Sequence, residues 1–256
     1  MTDHSHPQAD EAQVDFGFEN VSAQEKTERV KVVFDSVAER YDVMNDLMSF
    51  GLHRLWKRFA VIVSMVRPDH QVLDLACGSG DLSRLFVEQL GPDGRVVISD
   101  INQEMLSIGR DRLIDDGFSQ KFSAVQANAQ SLPFPSQLFD IVSIGFGLRN
   151  VTNKAAALSE MYRMLRPGGR AIILEFSEVR IPVLRPLYDA FSFKVLPKIG
   201  ALVAKDESSY RYLAESIRMH PNQENLLAMM TDAGFSQCRY RNLAGGVVAL
   251  HDGIRA

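Results

Sequence analysis

The sequence predicts one α/β domain in which a mostly parallel sheet carries helices on both faces. Short apolar segments alternate with amphipathic ones along most of the 256 residues, as in chains built from βα units. The first of them, residues 72–75, runs into a turn with Gly78 and Gly80 and then into a helix. A strand, a glycine turn and a helix in that order form the first half of a nucleotide-binding βαβ unit. The expected fold class is therefore Rossmann-like.

Seven segments of the chain have the composition of strands. They span residues 72–75, 95–100, 122–127, 139–144, 170–176, 236–243 and 247–250. Crossover segments, mostly helical, separate the first five, which favours parallel pairing. A short connection at Gly245 and Gly246 joins the last two, which favours an antiparallel hairpin. The expected sheet has seven strands and is mostly parallel, with a reversed last strand.

The N-terminal part of the chain is predicted to form an arm and a helical cap. Residues 1–18 are polar and lack periodicity, which indicates a flexible arm. Helical spacing of apolar residues follows, so residues 19–66 are expected to form a helical cap within a single domain of residues 19–256. Tyr41 and His53 can serve as acid or base, and Trp56 can form the wall of an aromatic site. Core packing is an equally good interpretation of these three side chains.

Polar residues stand at the carboxyl ends of the predicted strands, where parallel α/β sheets bind ligands. Asp100 ends the second strand, and its carboxylate can accept both hydroxyls of a ribose. Asn128 and Ala129 follow the third, and Asn128 can pair with an adenine edge or form an Asx turn. Ser83 replaces the third glycine of a dinucleotide fingerprint, and the turn lacks a phosphate-binding lysine. We therefore expect an adenosyl group without phosphates, as in S-adenosylmethionine.

The fourth strand runs into a second glycine-containing segment, GFGLRN at residues 145–150. Gly145 is expected to bring main chain next to the ligand, and Arg149 and Asn150 should point over the pocket. DNA methyltransferases that act on amino groups would show Asn-Pro-Pro-aromatic or Asp-Pro-Pro-aromatic here, and this chain does not. An ion pair with a surface carboxylate is the other interpretation of Arg149.

Residues 177–222 interrupt the alternation of strands and helices and are expected to form an insertion. Its central part, residues 182–204, mixes aromatic and aliphatic side chains with arginine and lysine. A basic amphipathic segment of this kind can cover an apolar pocket as a lid or lie on a membrane surface. Ordinary helix packing explains the composition equally well.

Composition excludes several classes of protein. With 46% hydrophobic and 23% charged residues, the chain is typical of globular proteins. A net charge of −4 without a basic block argues against a nucleic-acid partner. Cys77 and Cys238 are far apart and form no ligand pattern, so we expect no metal and a reducing, cytoplasmic location. The N-terminus lacks a secretory signal, and no run of about 18 apolar residues predicts a membrane span.

Three motifs make the sequence similar to one known family. Residues 41–45 read YDVMN and are followed by Ser49, His53 and Trp56, residues 163–169 read RMLRPGG, and residues 146–151 read FGLRNV. On these motifs the chain resembles the ubiquinone/menaquinone biosynthesis C-methyltransferases, which are class I S-adenosylmethionine-dependent methyltransferases. The resemblance covers the chain from about residue 16 to its end, and the first motif is the specific one.

The resemblance implies a reaction and a cofactor site. It implies methyl transfer from S-adenosylmethionine to a ring carbon of a polyprenylated quinol in bacterial quinone biosynthesis. The expected acceptors are 2-methoxy-6-polyprenyl-1,4-benzoquinol and demethylmenaquinol. It also implies cofactor contacts at Ser79, Asp100, Asn128 and Ala129. The family has a serine where this chain has Gly145, so only backbone is left for a contact there.

The chemistry of the implied reaction suggests roles for four residues. An aromatic carbon becomes a good nucleophile when a ring hydroxyl ionises, so the site needs a base or a cation that favours the phenolate. Arg149 is assigned as that cation, because a guanidinium stays protonated. A water ordered by Arg149 and Asn150 would take the proton, and His53 is the alternative base. Tyr41 would orient the ring.

Other functions and partners stay open at this level. A methyltransferase for an oxygen or nitrogen of a small molecule, or a non-catalytic S-adenosylmethionine-binding subunit, would keep the same cofactor motifs. An NAD oxidoreductase is the remote alternative. The isoprenoid tail suggests peripheral contact with the inner membrane or a complex of biosynthetic enzymes, and a homo-oligomer is compatible with the sequence.

Overall fold

The computed structural model describes residues 13–37, 41–195, 197–198, 201 and 207–256. Its central sheet is made of β3 (Gln71–Leu75), β4 (Arg95–Asp100), β5 (Phe122–Gln126), β6 (Phe139–Gly145), β7 (Leu165–Phe176), β8 (Ser236–Leu243) and β9 (Val248–Ile254). The strand order is β5-β4-β3-β6-β7-β9-β8. Strands β3 to β7 pair in parallel, and β9 runs antiparallel to β7 and β8. The predicted sheet with a reversed last strand is confirmed.

Two strands are longer than their composition predicted. Strand β7 begins at Leu165 rather than at residue 170, and β9 continues to Ile254. The N–H of Gly168 donates to the carbonyl of Arg255 at 2.7 Å, and that of Arg255 donates to the carbonyl of Gly169 at 2.9 Å. These main-chain hydrogen bonds extend the sheet to residues whose side chains do not favour a strand.

The helices surround the sheet on both faces. They are α1 (Ala23–Val37), α2 (Tyr41–Ser49), α3 (His53–Ser64), α4 (Asp81–Val87), α5 (Gln103–Asp115), α6 (Lys154–Met164), α7 (Leu184–Ala190), α8 (Glu207–Met219) and α9 (Gln223–Asp232). One core joins a face of the sheet to α3, α4, α5 and α8, and the other joins the opposite face to α6 and α9. Adjacent residues Ile172 and Ile173 belong to different cores, because side chains alternate along a strand. The continuously apolar strands are thus buried on both faces.

Residues 13–18 of the predicted flexible arm are ordered. Strand β1 (Gln13–Phe16) pairs antiparallel with β2 (Glu19–Ser22), whereas the sequence predicted flexibility through residue 18. The ring of Phe16 stacks on that of Tyr212 with centroids 4.2 Å apart, and Lys26 forms an ion pair with Asp15 at 3.4 Å. These contacts order the hairpin. Residues 1–12 of the predicted arm lie outside the described residues.

The predicted insertion contains α7, a π-helical turn at Phe191–Val195, and α8. Val183 and Leu187 are 76% and 65% exposed, whereas the ring of Phe191 packs on that of Phe50 at 4.8 Å between centroids. Residues 196, 199–200 and 202–206 lie outside the described residues, so the role of this segment as a lid stays a prediction. Within the described ranges, every helix is too short or too polar to cross a lipid bilayer.

Candidate active site

The turn after β3 has the backbone geometry that its glycines predict. Gly78 and Gly80 have φ of +55° and +82°, a region that L side chains enter only with strain. Gly80 is the N-cap of α4, so the turn leads directly into the helix. Ser79 is buried between the two glycines. All three turn residues are buried, and Gly78 is the one of them that borders the cavity described below.

A third glycine, which the sequence analysis missed, completes this turn. Gly109 lies inside α5, and a Cβ there would stand 2.7 Å from the carbonyl oxygen of Gly78 and 3.2 Å from the nitrogen of Gly80. A Cβ at Gly80 would in turn stand 3.1 Å from the Cα of Gly109. Helix α5 therefore packs backbone to backbone against the turn. A glycine inside a helix indicates close packing in general, but the sequence does not say against what.

Asp100 is held at the end of β4 by main-chain donors. Its Oδ2 accepts from the N–H of Gly78 at 3.0 Å, and its Oδ1 accepts from the N–H of Asn102 at 2.9 Å. Burial raises the pKa of this carboxyl to about 6. Each carboxylate oxygen can accept more than one hydrogen bond, so Asp100 retains acceptor capacity for the hydroxyls of a ligand.

A cavity of about 200 Å³ opens beside these residues. Five of the predicted site residues line it, namely Gly78, Asp100, Asn128, Ala129 and Asn150. They come from four separate strand ends, as expected for a ligand site of a parallel sheet. The cavity is mostly apolar, with a few convergent polar groups, which is typical of sites for small organic ligands.

Asn128 forms the Asx turn that was one of its two interpretations. Its Oδ1 accepts from the N–H and from the Nε2 of Gln130, at 3.0 and 3.1 Å. Both bonds use the oxygen, so the amide nitrogen of Asn128 is the atom that can serve an adenine edge. Ala129 adds its main chain to the same wall of the cavity.

Helix α1 forms a wall of the cavity that the sequence analysis did not assign. Thr27, Glu28, Lys31 and Phe34 line it at helical spacing. Three of them belong to the polar face of an amphipathic helix, which usually faces solvent. No signal in the sequence distinguishes such a face from one that covers a ligand.

Two non-glycine residues beside the cavity have left-handed backbone conformations. Ala76 and Phe146, which follow β3 and β6, have φ of +48° and +57°. Such conformations cost about 1–3 kcal/mol each and cluster at functional sites. Gly145, the predicted contact just before Phe146, lies at the end of β6, and a Cβ there would meet Leu82 at 3.2 Å. Within the described residues the cavity wall is formed here by Phe146 and Gly147 instead.

Arg149 differs from the expectation that it points over the pocket. It lies in the 3-10 turn Leu148–Asn150 and is only 1% exposed. Its Nη1 lies 2.8 Å from Oε1 of Glu175, and the same atom donates to the carbonyl of Phe146. Its main-chain N–H donates to Oε2 of Glu175 at 3.1 Å. The predicted cation is thus half of a buried ion pair, and this pair holds the turn that carries Asn150.

Asn150 remains at the cavity and connects it to α8. Its Oδ1 accepts a hydrogen bond from the hydroxyl of Tyr212 at 3.1 Å. Burial raises the pKa of Tyr212, so this hydroxyl stays protonated and donates. Because Tyr212 also stacks on Phe16, Asn150 is linked to the N-terminal hairpin.

His53, from the N-terminal motif, stands differently from the expectation that it is a base at the site. His53 is buried, and its Nε2 lies 2.9 Å from Oδ1 of Asp46, which joins α2 to the start of α3. Burial lowers the pKa of His53, and the cation of Lys57 lowers it further. Within the described residues His53 does not line the cavity. Tyr41 begins α2, but its side chain lies outside the described residues.

The comparisons with known proteins give this site a family. The model of the ubiE/COQ5 methyltransferase family matches residues 20–255 of the chain. The chain belongs to this family. It is a methyltransferase that uses S-adenosylmethionine, and the predicted resemblance is confirmed.

Individual relatives in the ubiE/COQ5 family match over nearly their whole length. A ubiquinone/menaquinone biosynthesis C-methyltransferase UbiE from Methylococcus capsulatus is 60% identical over 240 residues, which cover 94% of this chain and 97% of that protein. Its namesake from Ectopseudomonas mendocina is 54% identical over 255 residues and the full length of both. A solved S-adenosylmethionine-dependent methyltransferase from Aquifex aeolicus has the same fold, with a TM-score of 0.62 at 14% identity over 84% of this chain and 98% of that one.

The residues around the cavity fit this cofactor. Asp100 offers acceptors for ribose hydroxyls, Asn128 and Ala129 offer polar atoms for adenine, and Gly78 has no side chain that would fill the space. Close packing of Gly109 against the main chain of Gly78 and Gly80 fixes the conformation of the turn after β3. The cavity is therefore the candidate site for this cofactor.

Proposed function

We propose that the chain transfers a methyl group from S-adenosylmethionine to a ring carbon of a polyprenylated quinol. The acceptors are 2-methoxy-6-polyprenyl-1,4-benzoquinol and demethylmenaquinol, in ubiquinone and menaquinone biosynthesis. The observation that carries the proposal is the 60% identity over 97% of a relative that is named for this pathway and for carbon methylation. At that identity over nearly the full length, a change of acceptor class would require the substrate region alone to have diverged.

S-adenosylmethionine supplies an electrophilic methyl group when it is bound. The chain must hold it, hold the ring in line with it, and favour ionisation of a ring hydroxyl. We assign the first task to Gly78, Asp100, Asn128 and Ala129, supported by their positions around the cavity. Ser79 and Gly80 complete the turn. At Gly145 we expect only main chain to contact the cofactor, and Phe146 and Gly147 supply that part of the wall.

Asn150 is the best placed of the predicted catalytic residues. It lines the cavity, and Tyr212 fixes its side chain through a hydrogen bond of 3.1 Å. We assign it to orienting the ring or a water next to it. Arg149 acts as a positioning residue, because its guanidinium is engaged by Glu175 and by the carbonyl of Phe146. Tyr41 stays a candidate for contact with the ring, and His53 is assigned to the packing of α2 on α3.

We also propose that the insertion meets the membrane surface in which the isoprenoid tail of the substrate resides. Val183 and Leu187 expose large apolar areas on and just before α7, and Arg185 lies between them. Lys194 follows on the π-helical turn. Exposed apolar side chains interleaved with cations are typical of segments that lie in the headgroup region of an anionic bilayer.

The experiment that tests the proposed function is a methyl-transfer assay with a panel of acceptors. The full chain is incubated with methyl-labelled S-adenosylmethionine and, in separate reactions, reduced 2-methoxy-6-polyprenyl-1,4-benzoquinol, demethylmenaquinol and a catechol. We expect label in both quinols and none in the catechol. Label in the catechol alone would contradict the proposal in favour of oxygen methylation, and cofactor binding without transfer to any acceptor would make the chain a binding subunit.

A further inference from the structure

Helix α1 closes one side of the candidate cofactor cavity. Thr27, Lys31 and Phe34 line the cavity from this helix, and strand ends and the start of α5 supply much of the remaining wall. Elsewhere α1 packs on α8, where Val33 forms a buried cluster with Tyr212. Because α1 contributes a wall of the cavity, its displacement would open the site to solvent. The contacts that hold α1 in place therefore affect how tightly a ligand is bound.

The N-cap residue of α5, Asn102, has a side chain whose orientation is fixed. Its Oδ1 accepts hydrogen bonds from the N–H groups of Glu104 and Met105, at 2.9 and 3.1 Å. Its main-chain N–H donates to Oδ1 of Asp100 at 2.9 Å. Since two main-chain donors hold the amide oxygen, the amide nitrogen of Asn102 is turned away from them and needs an acceptor elsewhere.

Asp35, in the last turn of α1, is that acceptor. Nδ2 of Asn102 donates to Oδ1 of Asp35 at 2.6 Å. A carboxylate acceptor makes such a bond stronger than one between neutral groups. An aspartate would cap α5 as well as an asparagine does, but an aspartate has no donor to offer Asp35. Asn102 therefore meets two requirements, because it caps α5 and also joins α5 to α1.

The bond between Asp35 and Asn102 lies next to the residue that is expected to bind the ribose. Asn102 is 4% exposed, lines the cavity, and contacts Asp100 through its main chain. Asp35 itself does not line the cavity. A protein whose binding-competent conformation is only partly populated binds its ligand more weakly by that fraction. Loss of the bond would lower the population in which α1 is closed, and the ligand would bind more weakly as a result.

We propose that Asp35 is a positioning residue for S-adenosylmethionine, because its hydrogen bond to Asn102 holds α1 closed over the bound cofactor. Asp35 acts through Asn102 and takes no part in the transfer of the methyl group. The inference rests on the part of the proposed function that assigns this cavity to the cofactor. It is independent of which acceptor is methylated.

The test measures the binding of S-adenosylhomocysteine, so it needs no methyl acceptor. Calorimetry gives the dissociation constant, and hydrogen–deuterium exchange of the bound protein compares the opening of α1 with that of α6. The variants are Asp35→Ala, which removes the acceptor, and Asp35→Asn, which keeps an acceptor oxygen. Glu25→Ala is the matched control, because Glu25 is an acidic residue of the same helix that pairs with Arg29 and does not line the cavity.

We expect Asp35→Ala to raise the dissociation constant about tenfold, because one hydrogen bond to a charged group is lost from the closed state. The amides of α1 should exchange faster in this variant, and those of α6 should not change. Asp35→Asn should stay within about threefold of the wild type, and Glu25→Ala should match the wild type. Wild-type affinity in Asp35→Ala, or equal losses in Asp35→Ala and Asp35→Asn, would overturn the proposal.

Reversal of the hydrogen bond tests the pair of residues directly. Asn102→Asp keeps the cap of α5 but sets two carboxylates against each other, so binding should weaken at least as much as in Asp35→Ala. Adding Asp35→Asn to it exchanges donor and acceptor, and the affinity should return to within about threefold of the wild type. A double variant that binds no better than Asn102→Asp alone would overturn the proposal. Neither substitution removes a side chain, so this comparison stands if Asp35→Ala does not fold.

Failure of the underlying assignments would give different results. If S-adenosylhomocysteine bound elsewhere, Asp100→Asn would keep the wild-type affinity, and the assignment of the cavity would fail together with the role of Asp35. If the chain methylated no quinol, the proposed acceptor would be wrong, but the effect of Asp35→Ala on the binding of S-adenosylhomocysteine would persist.

Discussion

At the scale of single residues, burial decides how the charged groups of this site behave. Asp100 is nearly buried and accepts main-chain hydrogen bonds at the edge of the candidate cofactor cavity, and burial raises its pKa to about 6. Arg149 is fully buried and meets Glu175, so its charge is compensated inside the protein. Asp100 can therefore change its protonation state near neutral pH, whereas Arg149 mainly stabilises the fold.

The raised pKa of Asp100 predicts pH-dependent cofactor binding. The ribose hydroxyls need the carboxylate as acceptor, and its pKa in the free protein is about 6, so affinity is full above pH 6 and is lost as the pH falls through that value. Below it, the dissociation constant for S-adenosylhomocysteine should rise about tenfold per pH unit. Calorimetry between pH 5 and pH 8 measures this.

A matched control separates Asp100 from a second buried carboxyl. The pKa of Asp74 is also raised to about 6 by burial, but Asp74 accepts from Ser83 and Ser143 and does not line the cavity. Asp74→Asn should keep the pH dependence, whereas Asp100→Asn should bind weakly at every pH. Loss of the pH dependence in Asp74→Asn alone would show that Asp100 is not the titrating group.

The buried ion pair predicts a large effect of Arg149→Ala on stability. Removing the guanidinium leaves Glu175 buried without its cation, which should lower the free energy of unfolding by about 3–5 kcal/mol. Urea denaturation followed by the fluorescence of Trp56 measures it. Arg166→Ala is the control, because Arg166 pairs with Asp140 at 3.2 Å on the surface and should cost no more than about 1 kcal/mol. Equal stabilities with loss of methyl transfer only in Arg149→Ala would restore the direct catalytic role.

At the scale of elements, the candidate cofactor site is formed by helices that pack against a turn and line a cavity. Helix α5 packs its Gly109 against the turn between β3 and α4, and α1 covers the cavity from the other side. The turn is held by the close approach of α5, which the glycine residues on both sides allow.

The contact between α5 and the turn predicts that Gly109→Ala weakens cofactor binding. In an ordinary helix this change stabilises by about 0.5–1 kcal/mol. Here the new Cβ would stand 2.7 Å from the carbonyl oxygen of Gly78, and relief of such overpacking costs about 1–3 kcal/mol. Affinity for S-adenosylhomocysteine should therefore drop roughly tenfold. Arg110→Ala, on the exposed side of α5, should leave it unchanged, and equal affinities for both variants would contradict the packing argument.

The insertion predicts a selective effect on membrane-bound substrate. Val183→Asp with Leu187→Asp places charge on exposed positions, so the fold should survive while binding to anionic phospholipid vesicles falls. Methyl transfer to a long-tailed quinol in those vesicles should fall with it, but transfer to a short-tailed quinol in solution should not. Ile114→Asp, exposed on α5, is the control. Equal vesicle binding by the wild type and the double variant would contradict the proposed contact between the insertion and the membrane.

At the scale of the whole molecule, the features that the sequence predicted correctly are those that depend on residues close to each other in the chain. Strand composition, the glycine turn and polar residues at strand ends placed Gly78, Asp100 and Asn128 around one cavity before any contact was known. The short link before β9 predicted its reversal. Each of these signals lies within about ten residues of the feature that it predicts, so no tertiary information was needed.

The features that sequence missed depend on partners far along the chain. Arg149 was expected at the pocket because it follows the glycine-containing segment after β6, and local pattern does not show that it pairs with Glu175 on β7. The hairpin at residues 13–22 is ordered in part by Phe16 on Tyr212, and periodicity alone could not reveal that contact. Local pattern thus predicted which strand ends meet at one cavity, whereas the partners of single side chains depend on tertiary contacts.

The most direct test of the account is to locate the transferred methyl group in the product. The full chain is incubated with S-adenosylmethionine carrying a carbon-13 methyl group and with 2-methoxy-6-polyprenyl-1,4-benzoquinol, and the product is examined by NMR. We predict a methyl signal coupled to ring carbons, which shows a new carbon–carbon bond. A methyl signal from an oxygen-bound carbon would contradict carbon methylation and, with it, the proposed function of this chain.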